Sequence, residues 1–422
     1  TGKRLNEINK IIKKDFPKFS NLNKREVFTV KQIQKKLKKD EALLVLINEE
    51  IHQAYVITNG KFEFQGRYVG ADFARLITNI RKDIINLDSI LLKNLSAEMY
   101  SIIFKPIEKS FKDKKKLYII ADKHFSGLPF EMLITTERSI TTENRKQKWQ
   151  EDFEPRYFVE GHNINYLPNV ASFFNLKAST KTKINSKSQF LGIGDPKFKK
   201  ISQNITSENT AITFSRGGFI KDTRIINERY EELPFTSKEL DALKNVFAKS
   251  SLLTREKANE KKIKELKLEK FDVISFATHA EVSGTFEDFN EPFLVLSPPN
   301  VPNEYNDGLL TSSEISELNL NAELVILSAC DTGSKLHKYA AGFSGLINSF
   351  FVAGSRSVIA THWPVADESG YLLMSETMKK VSNLNQTVSQ ALKNTKIEFI
   401  KGKYGEQFKN PLFWAPYVYV GI

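Results

Sequence analysis

Cys330 is the single cysteine in 422 residues, in the run L-S-A-C-D-T-G (327–333). Fifty-one residues earlier (330 − 279), His279 stands in A-T-H-A (277–280). Each closes an apolar segment that reads as a buried strand: Phe271–Thr278 before the histidine and Glu323–Ala329 before the cysteine. In open parallel sheets, sites form outside the carboxyl ends of the strands. Both side chains are therefore expected on one edge of the sheet. A free thiol has a pKa of about 8.5, and a neighbouring imidazolium lowers it, so a Cys beside a His is an activated nucleophile. A cysteine on an apolar strand also serves as a small core hydrophobe. Chemistry is indicated by the pairing at two strand ends, each followed by a Gly-containing loop.

The elements that must position this pair alternate between apolar strands and amphipathic helices. Around it stand the strands Phe190–Gly194, Pro292–Leu296 and Arg356–Ala360. Helices are expected at Ser237–Lys249, Asn259–Leu268, Gly342–Val352 and Glu368–Val381, and a capping box of Thr311 and Glu314 opens another through Leu318. The pattern implies an α/β fold with a largely parallel sheet. Upstream, Thr29 caps a short helix carrying Val30, Ile33 and Leu37. Ala42–Ile47, Gln53–Thr58 and Lys61–Tyr68 read as strands, with Asn59-Gly60 as a hairpin turn. Ala71–Asn86 and Ser96–Phe111 read as helices, and Leu117–Ala121 as a buried strand. Residues 135–158 read as a polar surface excursion, and residues 178–189 and 199–222 as linkers or loops.

Composition narrows the classes. Hydrophobic residues are 41% and charged residues 27%, ordinary globular usage. One cysteine excludes an intramolecular disulfide, a zinc ribbon and an iron–sulfur cluster, and six dispersed His give no metal centre. No cofactor is expected. No apolar run approaches the roughly 18 residues of a membrane span, and no secretory signal opens the chain, so the cytoplasm is the expected compartment. The formal net charge is +12, from 62 Lys plus Arg and 50 Asp plus Glu. Residues 1–40 hold 13 basic and 4 acidic residues, a net of +9. That segment reads as a basic helical lead-in able to contact nucleic acid or an acidic partner. The start at Thr1 rather than Met reads as a fragment of a longer protein. Phosphate-loop, zincin, nucleophile-elbow and dinucleotide motifs are absent.

The stretch D-G-L-L-T-S-S-E-I-S-E-L-N-L-N-A-E-L-V-I-L-S-A-C-D-T-G (307–333) resembles the core of the CHAT-type caspase-like peptidases. So do A-G-F-S-G-L-I-N-S-F-F-V-A-G-S-R-S-V-I-A-T-H-W-P-V-A-D (341–367) and F-W-A-P-Y-V-Y-V-G (413–421). Shorter likenesses lie at 117–133, Y-L-P-N-V (166–170), L-G-I-G-D-P (191–196) and L-P-F-T-S-K-E-L (233–240). The resemblance covers roughly residues 28–422.

The resemblance implies a caspase-like α/β fold, a mostly parallel sheet flanked by helices, with a pseudo-protease half at 41–185 and an active half at 186–422. It implies a cysteine endopeptidase of the separase and caspase clan acting on a protein substrate. Cys330 would be the nucleophile and His279 the base or acid. Backbone N–H groups of Ala280 and Cys330 would hold the oxyanion. Many relatives have Gly after the His, where this chain has Ala280 and then Gly284. Asp331 and Asp367 would line a pocket for Arg or Lys; Asp367 as a helix cap is the alternative, and a small or apolar preference before the cut stays open. His124 and His162 read as structural, and His362 as a packing or pocket-wall residue. CHAT domains often follow TPR repeats, which would precede residues 1–40. The loops at 280–291 and 331–341 would be ordered by an upstream domain, an activating partner or nucleic acid, in a role in bacterial defence or signalling. A catalytically silent CHAT scaffold and a nucleic-acid-responsive effector remain the other classes.

Overall fold

A computed structural model describes residues 27–49, 51–68, 75–77, 79–80, 89–125, 127–136, 154–179, 183–199, 223–281, 291–329, 339–363, 365 and 367–422. They form two compact units, Val27–Ser179 with Val388–Ile422, and Thr180–Thr387.

The first unit opens with the helix Val30–Lys36, whose Thr29 cap bonds reciprocally with Gln32. Strands β1 (Glu41–Asn48), β2 (His52–Thr58) and β3 (Phe62–Arg67) form an antiparallel meander around the Asn59-Gly60 turn. β4 (Lys116–Ala121) and β5 (Asn163–Tyr166) extend it in parallel from β1. The helix expected at Ser96–Phe111 is instead Ser89–Ile103 followed by a 3₁₀ segment, Lys105–Ser110. Pro106 explains the break: it donates no N–H and disfavours α geometry in the residue before it. Tyr157 and Phe158, at the end of the expected surface excursion, are buried and carry the short helix Phe158–Gly161. Residues 137–153 of that excursion lie outside the described residues, as do most of Ala71–Asn86 and all of 200–222.

The second unit contains a five-stranded parallel sheet. β6 (Gln189–Gly194) has β7 (Lys249–Thr254) on one side and β8 (Val273–Thr278) on the other. All six residues of β8 are buried, as a parallel strand covered on both faces requires. Next to the end of β8, β9 (Ala280–Glu281), β10 (Phe293–Val295) and β11 (Leu309–Thr311) make a small antiparallel sheet in the order β11-β10-β9. β12 (Leu324–Ala329) and β13 (Val358–Thr361) complete the parallel sheet in the order β13-β12-β8-β6-β7. The helix expected at Ser237–Lys249 is Pro234–Lys244, with Pro234 in its first turn and Lys249 already in β7. It packs against the helix Asp367–Asn383. The Thr311–Glu314 capping box opens the helix Ser312–Glu317, which packs on Tyr339–Ala353.

The chain then returns to the first unit through the helix Val388–Ile400 and the strand β14 (Tyr417–Val420), parallel to β5. Among the described residues no helix is long and apolar enough to cross a membrane.

Candidate active site

β8 and β12 run in parallel register with Thr278 opposite Ala329. Their carboxyl ends finish in one row, on neighbouring strands about 4.8 Å apart. On the other flank of β8, Gly194 pairs with Ala277. A Cβ at Gly194 would lie 2.2 Å from the Ala277 carbonyl oxygen, so only glycine lets β6 close against the strand that delivers His279. The chain then turns at Asp195, whose carboxylate lies 3.1 Å from the Arg255 guanidinium.

His279 follows the last residue of β8 and is 2% exposed. Its Nε2 lies 2.7 Å from the carbonyl oxygen of Glu231. A carbonyl can only accept, so Nε2 carries the proton and Nδ1 is the basic nitrogen. The ring packs against Tyr230 at 5.2 Å and Phe198 at 6.0 Å between centroids. The Tyr230 hydroxyl donates to Glu281 Oε1 at 2.9 Å, and the Arg229 guanidinium approaches the same carboxylate at 3.5 Å. Glu281 is two residues beyond His279, on the same face of the extended chain. The consecutive residues Arg229, Tyr230 and Glu231 therefore hold both side chains of that face.

Ala280 begins β9 opposite Leu294. The Val295 N–H donates to the His279 carbonyl at 2.9 Å, and the Thr278 hydroxyl donates to the Val295 carbonyl. In an antiparallel ladder this phase makes Ala280 and Leu294 a non-hydrogen-bonded pair, so the Ala280 N–H points away from β10. The small sheet is anchored at its far strand. Glu260 Oε2 accepts from the backbone N–H groups of Asp307 and Gly308 at 2.7 and 2.5 Å, and Lys264 lies 3.1 Å from Oε1. Gly308, at φ 101°, turns the chain into β11. Burial, with Asp307 and Glu314 close by, pushes the Glu260 carboxyl up to about 8.

Cys330 and Asp331 lie outside the described residues; Ala329, directly before them, is the register partner of Thr278. Asp367 is the first residue of the helix Asp367–Asn383, and its side chain is not among those described. The structure thus brings together His279, Ala280 and the ends of β8 and β12, and it describes no contact of Asp331 or Asp367 with them.

The CHAT domain profile matches residues 93–422, more than half of the chain. The chain belongs to the CHAT domain family. Two structures of the Saccharomyces cerevisiae separase–securin complex are similar to this CHAT chain. One, at 10% identity and a TM-score of 0.50, covers 96% of this chain and 33% of separase's. The other, at 9% identity and 0.54, covers 92% and 30%. The chain therefore spans about a third of the length of the separase chains it matches. Gingipain R, an Arg-specific cysteine proteinase, aligns at 10% identity over 91% of this chain and 77% of its own, with a TM-score of 0.42. No curated protein sequence matches the chain. The likeness to separase is one of fold: a caspase-like α/β architecture with a large, mostly parallel sheet flanked by helices.

The other histidines of the CHAT chain have their own settings. A ring nitrogen of His162 donates to the Lys114 carbonyl at 2.6 Å, and burial holds its pKa below the usual imidazole range. His124 Nδ1 lies 3.3 Å from Asp122. His362 follows β13 and is half-buried. Sequence reading passed over Arg229, Tyr230, Glu231 and Glu281. Glu281 carries a local signal, its two-residue spacing from His279. Glu231 acts through its backbone, which leaves no side-chain signature.

Proposed function

We propose that this CHAT domain is a cysteine endopeptidase that cleaves one or few protein substrates, with Cys330 as nucleophile and His279 as general base and acid. The observation that supports it is His279 at the end of β8, its Nε2–H held by the Glu231 carbonyl, one strand away from the segment that runs directly into the single cysteine. His279 Nδ1 would take the thiol proton of Cys330. The thiolate would attack the scissile carbonyl, and Nδ1 would return the proton to the departing amine, leaving a thioester. A water, deprotonated at Nδ1, would then release the carboxylate and restore the thiol. The Ala280 N–H, turned away from β10, is suited to the developing oxyanion together with that of Cys330; one such donor contributes about 10²–10³ in rate in other enzymes. Asp331 and Asp367 would favour Arg or Lys before the cut, and an upstream segment, a protein activator or nucleic acid would govern access. Incubation with a peptide library tests the proposal. Cleavage in the native chain, lost in both Cys330→Ala and His279→Ala with folding intact, supports it; retained cleavage in either variant refutes it. A folded native chain that cleaves nothing and leaves Cys330 unlabelled by thiol-reactive peptides identifies a scaffold instead.

A further inference from the structure

Among the described residues, β3 is the outer strand of the first unit's sheet, with a neighbour on one side only, β2. It is unusually apolar for an edge: Phe62 and Phe64 are 50% and 49% exposed, and Tyr68, next in the same alternation, is 78% exposed. An edge of this kind is a template for strand addition. The occupant is specified by the sequence of the strand and the residue that follows it, F-E-F-Q-G-R-Y (62–68).

The phase of the ladder decides which backbone groups are available. β2 and β3 pair Ile57 with Phe62 and Tyr55 with Phe64, and the Thr58 N–H donates to the Lys61 carbonyl at 2.9 Å. In an antiparallel ladder, residues 61, 63, 65 and 67 then turn their N–H and C=O groups toward β2. Phe62, Phe64, Gly66 and, by continuation, Tyr68 turn theirs outward.

We propose that β3 pairs antiparallel with β3 of a second copy of this chain, about a two-fold axis at Gln65. This register matches Phe62 with Tyr68, Glu63 with Arg67, Phe64 with Gly66, and Gln65 with itself. The outward-facing residues Phe62, Phe64, Gly66 and Tyr68 are then all hydrogen-bonded partners. The charged pair Glu63–Arg67 occurs twice and falls at non-hydrogen-bonded positions, where side chains come closest. On the other face Phe64 meets Gly66, and an aromatic beside an edge glycine is a known stabilising device. Centring on residue 64 or 66 also pairs outward-facing residues with one another but puts no opposite charges face to face, and centring on 64 sets Lys61 against Arg67. Glu63 also accepts from Ser110 Oγ on the inner face, which fixes the carboxylate toward that side.

The test is the oligomeric state of the whole 422-residue chain by sedimentation over a concentration series. The native chain is expected to dimerise reversibly. Glu63→Arg and Arg67→Glu each place two like-charge pairs across the axis and should weaken the dimer about ten- to hundredfold. The double swap Glu63→Arg with Arg67→Glu restores opposite charges and should recover dimerisation. Thermal unfolding of each variant separates loss of pairing from loss of folding. A native chain that stays monomeric, single variants that dimerise like the native chain, or a folded double swap that stays as weak as the single variants would each overturn the proposal. A strand captured from another protein instead of a second copy would appear as the first of these outcomes.

Discussion

Removing one oxygen atom tests how His279 is held. In Tyr230→Phe the ring stays against the imidazole, but the hydroxyl that donates to Glu281 at 2.9 Å is gone. Tyr230 and Glu281 are 5% and 1% exposed, so water does not readily replace the bond. A hydrogen bond to a charged group contributes about 1.5–3 kcal/mol, and a buried acceptor that loses its donor bears most of that cost. About 2 kcal/mol of destabilisation is therefore expected, read as a lower urea midpoint at unchanged slope. The same bond fixes the segment that presents the Glu231 carbonyl to Nε2. If the whole cost fell on that placement, the correctly held imidazole would decrease by up to about 30-fold, the factor equivalent to 2 kcal/mol. The assay is kcat/KM on a cleaved peptide, with kcat separated from KM. A fall in kcat at nearly constant KM, alongside the stability loss, is the expected pattern. A variant within about 0.5 kcal/mol of the native chain, with an unchanged rate, would refute the proposed hold.

Three further outcomes follow from the framework. Lys396 lies 3.2 Å from Glu131, both are buried, and the Tyr166 hydroxyl donates to the same carboxylate at 2.6 Å. Lys396→Met should cost about 3–5 kcal/mol in chemical denaturation, and adding Glu131→Gln should recover much of it, because the uncompensated charge is then removed. Burial depresses the pKa of His52 and of His162 in the folded first unit, so the unfolded chain binds their protons first. Their contribution to stability is present above about pH 6.5 and is lost as pH falls below it; urea midpoints measured from pH 7.5 to 5 should decline, and less so in a His52, His162 double replacement by apolar residues. Gly194→Ala drives a methyl against the Ala277 carbonyl and should destabilise the second unit by about 1–3 kcal/mol or more, measured by denaturation.

Strands were the most legible feature. β8 and β12 stand out because a parallel strand covered on both faces must be apolar along its whole length. Their ends locate His279 directly and bring the chain to Cys330. The Thr29 and Thr311 caps were equally readable, since their bonding partners lie three residues away. Legibility failed where the decisive partner is distant or unmarked. Pro106 ended a helix that apolar spacing alone would prolong, and β7, K-S-S-L-L-T, is too polar to announce itself as an edge strand. The return of Val388–Ile422 to the first unit rests on pairing β14 with β5 across more than two hundred residues, which no local pattern encodes. The orientation of His279 depends on a backbone carbonyl, Glu231, and on Tyr230, neither distinguishable before folding.

The central claim is that Cys330 and His279 act as one nucleophilic pair. With one cysteine in the chain, the pH dependence of its alkylation by iodoacetamide, followed by intact mass, reports on that thiol alone. A pair predicts a reactive thiolate well below the ordinary thiol pKa of about 8.5 and a return toward that value in His279→Ala. The same curve near 8.5 with and without the imidazole would contradict it.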